Sequence, residues 1–458
     1  MENCVVGNQR SKNGILFLLF CFLIVLSGCE KDENSYFELS TSKVNFTEKA
    51  ESKTVEIHTN TDWQANISPS SAASWLTLSA NRGGGRDVTL TLSATVNDEM
   101  EERSAEVSFN SDAGTKTISV VQQALTEYKD KYVKELQAAA KGKGINLVIM
   151  GDGFTKDDLA KGGFYEKSMK RAAEYFFSVE PYKSYREYFN VYMVVAESEE
   201  AGANRNDPFV KVNNKFNSTF GEGTKITCNE KLCEEYTALV PGMVMEKATD
   251  GNKYMTTEGL TILVINTSWF AGTTTMYSNG YSIALCPMAT EYPSPNDFEG
   301  LIHHEAGGHG FGLFADEYVY FDEEIPAENM QTVQKWQKFS LGFYSNVDFT
   351  DDLTQIAWKD FIGRPNYSYV GAYEGAYMYG HGIWRPEYNT CMDRNIPYFS
   401  APCRWFIVNR IMKLAGVSFT FSDFMSRDNV TPPAVTRSSV PGRTIPPLAR
   451  PKMIEVPF

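Results

Sequence analysis

Three features are scarce in this chain: histidine, clustered positive charge and long apolar runs. Only five of its 458 residues are histidine, and 57 Asp and Glu outnumber 43 Lys and Arg, which gives a formal net charge of −14. A nucleic-acid backbone is held by clustered basic residues, and no basic stripe runs along this sequence. We therefore expect no nucleic-acid partner.

An apolar run near the N-terminus, residues 15–26, is too short to span a bilayer comfortably. It follows two basic residues and precedes small ones, which is typical of an export signal. Residues 26–29, Leu-Ser-Gly-Cys, resemble a bacterial lipobox. The resemblance implies a signal peptide over 1–28 and lipidation of Cys29.

The residues after Cys29 carry a short acidic cluster, Glu-Lys-Asp-Glu at 30–33. This cluster resembles the surface-export signal of Bacteroidetes-type lipoproteins. The resemblance implies a lipidated tether over 29–35 that binds a membrane through its lipid. It also implies a location at the outer membrane or cell surface of a Gram-negative bacterium. A plain cleaved signal with an incidental cysteine is the alternative.

Cysteine is too sparse to suggest a metal site on sulfur. Five of the eight cysteines lie beyond Cys29, and none of them forms a Cys-x-x-Cys pair. An exported chain permits disulfides, and two pairs are close enough in sequence to join locally, with one thiol left over. The pairs are Cys228 with Cys233 and Cys391 with Cys403, and the remaining thiol is Cys286.

The length of the chain predicts two or three domains. Residues 36–125 are rich in Ser, Thr and Asn and show period-two apolar patterns, as at 53–58 and 88–92. Such runs between turn residues predict short antiparallel strands in an Ig-like β-sandwich.

The same region resembles a BACON domain. The matching segments include 62–65 around Trp63, 74–79 around Trp75, and the closing residues 118–123. The resemblance implies a contact with glycans, but we favour the interpretation of this domain as a stalk that holds the rest of the protein off the membrane. We interpret the two tryptophans as core residues rather than sugar platforms.

The second half of the chain has the pattern of an α/β domain, which we place at 144–424. Apolar positions at helical spacing over 128–140 predict a helical linker at 126–143. The segments 145–150, 189–196 and 260–265 predict buried strands, and 165–177 predicts a helix between the first two. Pro-rich residues 425–458 predict an extended tail that wraps the surface or stays mobile.

Three of the five histidines fall within residues 303–309, His-His-Glu-Ala-Gly-Gly-His. Zinc peptidases place two histidines at i and i+4 with a glutamate after the first. Here His304 and His309 are five residues apart, and in a regular helix they would diverge by roughly 140°. A π-bulge at Gly307 and Gly308 would bring them onto one face.

The glycines after this segment predict that the chain turns back to offer a third ligand. Asp316 is our first choice for it and Glu317 the second. Two histidines and a carboxylate leave the fourth tetrahedral position for water, as in catalytic rather than structural sites. We interpret Glu305 as the general base that takes the proton of this water and passes it to the leaving amine.

Residues 312–318, Gly-Leu-Phe-Ala-Asp-Glu-Tyr, together with 150–155, resemble the IgA peptidase family of metallopeptidases over about 144–424. The resemblance implies a zincin-like fold, Zn²⁺ as cofactor, and protein or glycoprotein substrates. The family spacing would put Glu305 where the first histidine belongs. This chain therefore has one residue more than the family between the first ligand and His309. His304 is favoured as the first ligand, and His303 is the fallback.

Two further segments are predicted to shape the site. Peptidases of this general fold pair an edge strand with the substrate. The candidate is the strand before the helix that carries His304 and His309, which we call the metal helix, with Ser282, Ile283 and Ala284 as substrate-binding residues. His381 and Tyr388 are candidate donors to the developing oxyanion. The rival hypotheses are a non-enzymatic surface adhesin with a structural or vestigial zinc site, and a zinc amidase that trims glycans or cell wall.

Overall fold

The computed structural model describes residues 34–256, 259–434 and 445–457. The chain divides into two compact units, with the boundary between Ala124 and Leu125. The predicted signal peptide, Cys29 and most of the tether lie outside the described residues. Within the described parts, the helices are too short or too polar to cross a bilayer.

The N-terminal unit is built from two antiparallel-rich sheets, as its alternating sequence predicts. One sheet has the strand order β1-β3-β7-β5 and the other β2-β9-β8-β4-β6. The strands are β1 Phe37–Leu39, β2 Lys43–Phe46, β3 Glu51–Thr59, β4 Trp63–Ser68, β5 Leu76–Leu78, β6 Arg82–Gly83, β7 Val88–Ala94, β8 Arg103–Ser111 and β9 Gly114–Gln122.

The inward side chains of both sheets form one apolar core. Val55 and Leu90 come from the first sheet and Phe109 from the second. Trp63 and Trp75 are only 4% and 7% exposed and belong to this core. Their interpretation as core residues is therefore confirmed.

The C-terminal unit is organised around a seven-stranded sheet with the order β10-β12-β11-β18-β20-β19-β24. Two three-stranded sheets, β13-β14-β15 and β21-β23-β22, and the hairpin β16-β17 accompany it. The strands are β10 Val133–Gln137, β11 Ile145–Asp152, β12 Phe189–Val194, β13 Asn204–Arg205, β14 Thr219–Phe220, β15 Ile226–Thr227, β16 Met245–Lys247, β17 Lys253–Met255, β18 Leu260–Ile265, β19 Thr273–Tyr277, β20 Ser282–Pro287, β21 Val319–Glu324, β22 Tyr373–Ala376, β23 Met378–Arg385 and β24 Lys452–Ile454.

The strands β12, β11, β18 and β20 are parallel, and their continuous apolar sequences suit a sheet that is buried on both faces. The three predicted buried strands and the predicted helix are confirmed. The helices are α1 Phe164–Phe176, α2 Glu230–Thr237, α3 Phe298–Leu301, a π-helix Ile302–Phe311, α4 Ala327–Gln337, α5 Cys391–Arg394, α6 Ala401–Ala415 and α7 Phe421–Arg427.

The predicted helical linker at 126–143 is wrong. Its centre is the strand β10, which pairs antiparallel with β12 at one end of the large sheet. The preceding residues are also tied to the C-terminal unit, since the Tyr128 hydroxyl donates to Glu166 at 2.7 Å. Pairing with a strand far along the chain outweighs the local helical spacing.

The predicted Pro-rich tail also needs correction at both ends. Its first residues, 425–427, complete helix α7, and residues 452–454 form β24, which runs parallel to β19. The described end of the tail is therefore part of the sheet.

All five cysteines beyond Cys29 are free thiols in this structure. The Sγ atoms of Cys228 and Cys233 lie 3.9 Å apart. Cys391 and Cys403 are both buried.

Candidate metal centre

The π-helix carries the histidine cluster, and all ten of its residues are buried. Hydrogen bonding from i to i+5 brings residues five apart onto one face. The Nε2 atoms of His304 and His309 consequently lie 3.1 Å apart. The predicted helical distortion is confirmed, although it spans Ile302–Phe311 rather than a single bulge.

Glycines let this helix pack closely against its surroundings. A Cβ atom on Gly308 would lie 2.1 Å from Sδ of Met392, and one on Gly310 would lie 2.6 Å from a methyl group of Leu260 on β18. Met392 therefore packs directly against the metal helix.

Asp316 completes the cluster after the chain reverses at Leu313, which has a left-handed φ of 59°. Its Oδ1 lies 3.1 Å from Nε2 of His304 and 3.2 Å from Nε2 of His309. Burial raises the pKa of Asp316, but the two imidazoles outweigh that effect and hold the pKa well below its usual value. All three side chains are fully buried.

The second nitrogen of each imidazole is held by a backbone carbonyl. Nδ1 of His304 lies 3.1 Å from the carbonyl oxygen of Cys391, and Nδ1 of His309 lies 2.7 Å from that of Phe314. A carbonyl only accepts, so each Nδ1 carries a proton, and Nε2 is the ring nitrogen that faces the cluster. This is the usual arrangement behind metal-ligating histidines.

The spacing of the three inward atoms fits a small divalent cation. Tetrahedral zinc with bonds of about 2.0–2.2 Å separates its ligand atoms by roughly 3.3–3.6 Å. The separations observed here are 3.1 to 3.2 Å. No other group of three ligand-type side chains comes this close together in the described parts of the chain.

Glu305 lies beside the cluster with one oxygen held and one oxygen available. Thr274 on β19 donates to its Oε2 at 2.7 Å, whereas Oε1 has no hydrogen-bond partner among the described residues. A Cβ atom on Gly272 would lie only 2.4 Å from that Oε1. Burial raises the pKa of Glu305 to about 7.

The alternative ligands lie elsewhere. Nε2 of His303 contacts Ser178 Oγ and the carbonyl of Tyr175, each at 2.8 Å. The Glu317 carboxylate accepts from Asn346 at 2.9 Å and also from Thr390. The structure thus assembles His304, His309 and Asp316 and leaves His303 and Glu317 outside the set.

The two predicted oxyanion donors are not brought to the cluster. His381 is 45% exposed and is paired with Asp322 and Glu374, at 3.0 and 3.3 Å. The Tyr388 ring is also partly exposed and packs on that of Tyr373 at a centroid distance of 4.4 Å. Among the described contacts, neither side chain touches the three clustered residues.

Tyr318, which was not predicted as a site residue, lies beside the cluster. Its ring stacks over His304 at a centroid distance of 6.1 Å. Burial and the neighbouring Asp316 raise the pKa of its phenol well above the usual value, so the hydroxyl keeps its proton. The sequence signal was present, because Tyr318 ends the segment 312–318 that carries Asp316.

The assignment of Ser282, Ile283 and Ala284 to a substrate-pairing edge strand is wrong. They lie on β20, which is hydrogen-bonded to β18 on one side and to β19 on the other. A strand with both neighbours in place has no free backbone groups to offer. β19 lies beside the site, because it supplies Thr274. On the side away from β20, β19 pairs only with the C-terminal strand β24 among the described strands.

A buried set of two histidines and a carboxylate beside a buried glutamate is typical of hydrolases with a catalytic metal site. The comparison with protein families agrees with that class. The model described as IgA Peptidase M64 matches residues 134–367, about half of the chain, and BACON, a putative N-terminal binding domain, matches 63–123. The chain belongs to the IgA peptidase M64 family, and a BACON domain precedes the matched region.

Other comparisons cover small parts of the chain. A Bacteroides ovatus GH5 xyloglucanase is 19% identical over 24% of this chain and 26% of its own, with a TM-score of 0.18. The periplasmic chaperone SfaE is 12% identical over 19% of this chain and 58% of its own, with a TM-score of 0.17. This chain thus spans about a quarter of the xyloglucanase. No curated protein matches it.

Proposed function

We propose that this protein is an exported zinc endopeptidase that hydrolyses peptide bonds of proteins or glycoproteins. The observation that carries the proposal is the convergence of His304, His309 and Asp316 beside a glutamate with one unpaired oxygen. Buried ionisable groups arranged in this way are costly for stability and are typical of functional sites. On this proposal the C-terminal unit is zincin-like and the N-terminal unit Ig-like.

The chemistry divides between the ion and the side chains. His304, His309 and Asp316 would hold the zinc ion, which would supply Lewis-acid polarisation of the scissile carbonyl and a pKa of water lowered toward about 7. Glu305 takes a proton from the attacking water at Oε1 and passes it to the leaving amine, while Thr274 holds Oε2 in position. Tyr318 donates to the oxygen on which charge develops.

The cellular setting is part of the same proposal. Lipidation at Cys29 would anchor the protein to the outer membrane or the cell surface, with the membrane as a partner through the lipid. The N-terminal unit would act as a stalk, and a contact with glycans is its alternative role. No nucleic-acid partner is proposed, in keeping with the net charge of −14.

The test is the substitution Glu305→Gln. It keeps the shape and the acceptor for Thr274 but removes the basicity, so zinc content should be unchanged. Hydrolysis of casein and of a glycoprotein panel should fall on the order of 10²- to 10⁴-fold. The control is Glu299→Gln in α3, where the carboxylate is 39% exposed and contacts Ser178, and this variant should hydrolyse at the wild-type rate.

Two results would count against the proposal. Equal hydrolysis by wild type and Glu305→Gln would remove Glu305 from the mechanism. Zinc-loaded wild type that cleaves no protein substrate would favour the surface adhesin with a vestigial metal site, and release of sugar or cell-wall fragments would favour the amidase.

A further inference from the structure

The C-terminal segment of the same chain, residues 445–457, contacts elements that surround the metal centre. The closest link is the backbone carbonyl of Leu448, which accepts a hydrogen bond of 2.6 Å from the Tyr318 hydroxyl. Tyr318 is also the phenol that lies next to His304 and Asp316. A peptide carbonyl of the tail therefore occupies the place where the proposed donor would meet a substrate carbonyl.

The side chain of Leu448 fills an apolar pocket beside the centre. It is 3% exposed and packs with Phe270, Ala289 and Leu301, while Tyr292 and Ile445 close the rim. Leu301 directly precedes the π-helix, so the pocket wall is continuous with the element that carries the histidines.

The tail continues along the strand next to Glu305. Residues 452–454 pair in parallel with 275–277 of β19, and β19 also carries the Thr274 that holds Glu305. Adding a peptide strand to an exposed sheet edge is a common way to bind extended chains, in which the backbone gives affinity and alternate side chains give specificity. The tail uses this mode within its own molecule.

Polar contacts hold the tail at intervals along its length. The carbonyl of Pro447 accepts from Thr224 at 2.5 Å, and Lys452 forms an ion pair with Glu230 at 2.6 Å. The guanidinium of Arg450 lies 4.4 Å from the ring centre of Tyr377. The tail is thus seated by several elements of the C-terminal unit rather than by one contact.

We infer that residues 445–457 lie in the substrate groove as an internal substrate mimic, and that the Leu448 pocket is a subsite for branched aliphatic side chains. This inference rests on the proposed peptidase function for the identity of the groove. The substrates are then extended peptides with Leu, Ile or Val at the position that enters this pocket. The tail must leave before a protein substrate binds.

The test uses the full chain with Leu448→Asp, which places a charge in the pocket and should expel the tail. A fluorescent peptide of residues 445–457 should bind this variant at least about tenfold more tightly than wild type, since one tenfold step needs only about 1.4 kcal/mol. The same peptide carrying Asp in place of Leu448 should not bind. Binding is measured in a Glu305→Gln background, so that it does not depend on hydrolysis.

The milder variant Leu448→Ala guards against misfolding and should give a smaller change in the same direction. Val417→Asp, at a partly exposed site of the C-terminal unit, is the matched control and should behave as wild type. Peptides with Leu at the subsite should displace the fluorescent peptide better than peptides with Asp there. In the Glu305 enzyme, Leu448→Asp should raise casein hydrolysis about tenfold.

Equal peptide binding by wild type, Leu448→Asp and Leu448→Ala would overturn the inference, whatever the hydrolytic activity. Tight binding to Leu448→Asp with no hydrolysis by any variant would support the groove and overturn the peptidase mechanism instead. The two failures are therefore distinguishable.

Discussion

The two units of this protein bury polar groups in different ways. The polar side chains buried in the N-terminal unit are neutral: Thr59, Thr61, Asn97 and Gln122. The metal helix and the turn after it bury six ionisable residues within a short stretch: His303, His304, Glu305, His309, Asp316 and Glu317. Burial of hydrogen-bonded neutral side chains is compatible with a stable fold, whereas burial of ionisable side chains lowers its stability.

This difference locates the function. Buried ionisable groups must be paired, hydrogen-bonded or bound to a metal, since otherwise each destabilises the fold by several kcal/mol. Glu317 and His303 find protein partners, but the three inward atoms of His304, His309 and Asp316 face one another. A cation bound between them would satisfy all three.

The largest effect should come from His309→Ala, which removes one corner of the ligand set. Zinc should be lost, and hydrolysis with it, because two ligands no longer define a site. Zinc content by atomic absorption is the readout. His303→Ala is the control, since His303 is buried in the same helix but contacts Ser178 instead. If the His309 variant keeps full zinc stoichiometry, the ligand assignment fails.

A smaller effect should come from Gly272→Ala, which leaves all three ligands intact. The added methyl group would lie 2.4 Å from Oε1 of Glu305 and displace that carboxylate. A misplacement of about 1 Å can cost roughly 10²-fold in rate, with zinc retained. The kcat for a peptide substrate is the measurement.

Gly221→Ala is the control for this comparison. Its added Cβ would meet its nearest neighbour at an ordinary 3.6 Å. In a Glu305→Gln background, Gly272→Ala should cost little further rate, because both changes act on one carboxylate. Additive losses would show that Gly272 acts through something other than Glu305.

The sequence was most informative where chemistry and local geometry coincide. The five-residue spacing of His304 and His309 required a distorted helix, and the glycines between them marked its place. The sequence ranked Asp316 ahead of Glu317 but left both open, because the choice depends on the turn at Leu313 and on the distant partners of Glu317.

The failures share one physical cause, which is pairing between strands far apart in sequence. β20 looked like an edge strand because the sequence does not show that β19 returns antiparallel beside it. β10 looked helical for the same reason, and the role of Tyr318 depends on a tail 130 residues later. Local periodicity carries no information on such partners.

The smallest effect should come from removing the N-terminal unit. A chain that starts at Leu125 keeps the contacts that tie its first residues to the C-terminal unit, such as the hydrogen bond of 2.8 Å from the Lys131 amide to the Val195 carbonyl. It also keeps β10 on the large sheet. Zinc content should be unchanged and kcat/KM for peptides should stay within about twofold, as expected for separate domains.

A shorter chain that starts at Ala138 should be less stable than the chain that starts at Leu125. It removes β10 together with Asp130, whose carboxylate accepts from the Glu197 amide at 2.9 Å and from Tyr236 at 2.7 Å. Each lost hydrogen bond costs about 0.5–1.5 kcal/mol, so the free energy of unfolding in urea should fall by several kcal/mol. If the chain starting at Leu125 is already insoluble or free of zinc, the N-terminal unit is not a stalk and must complete the fold of the peptidase.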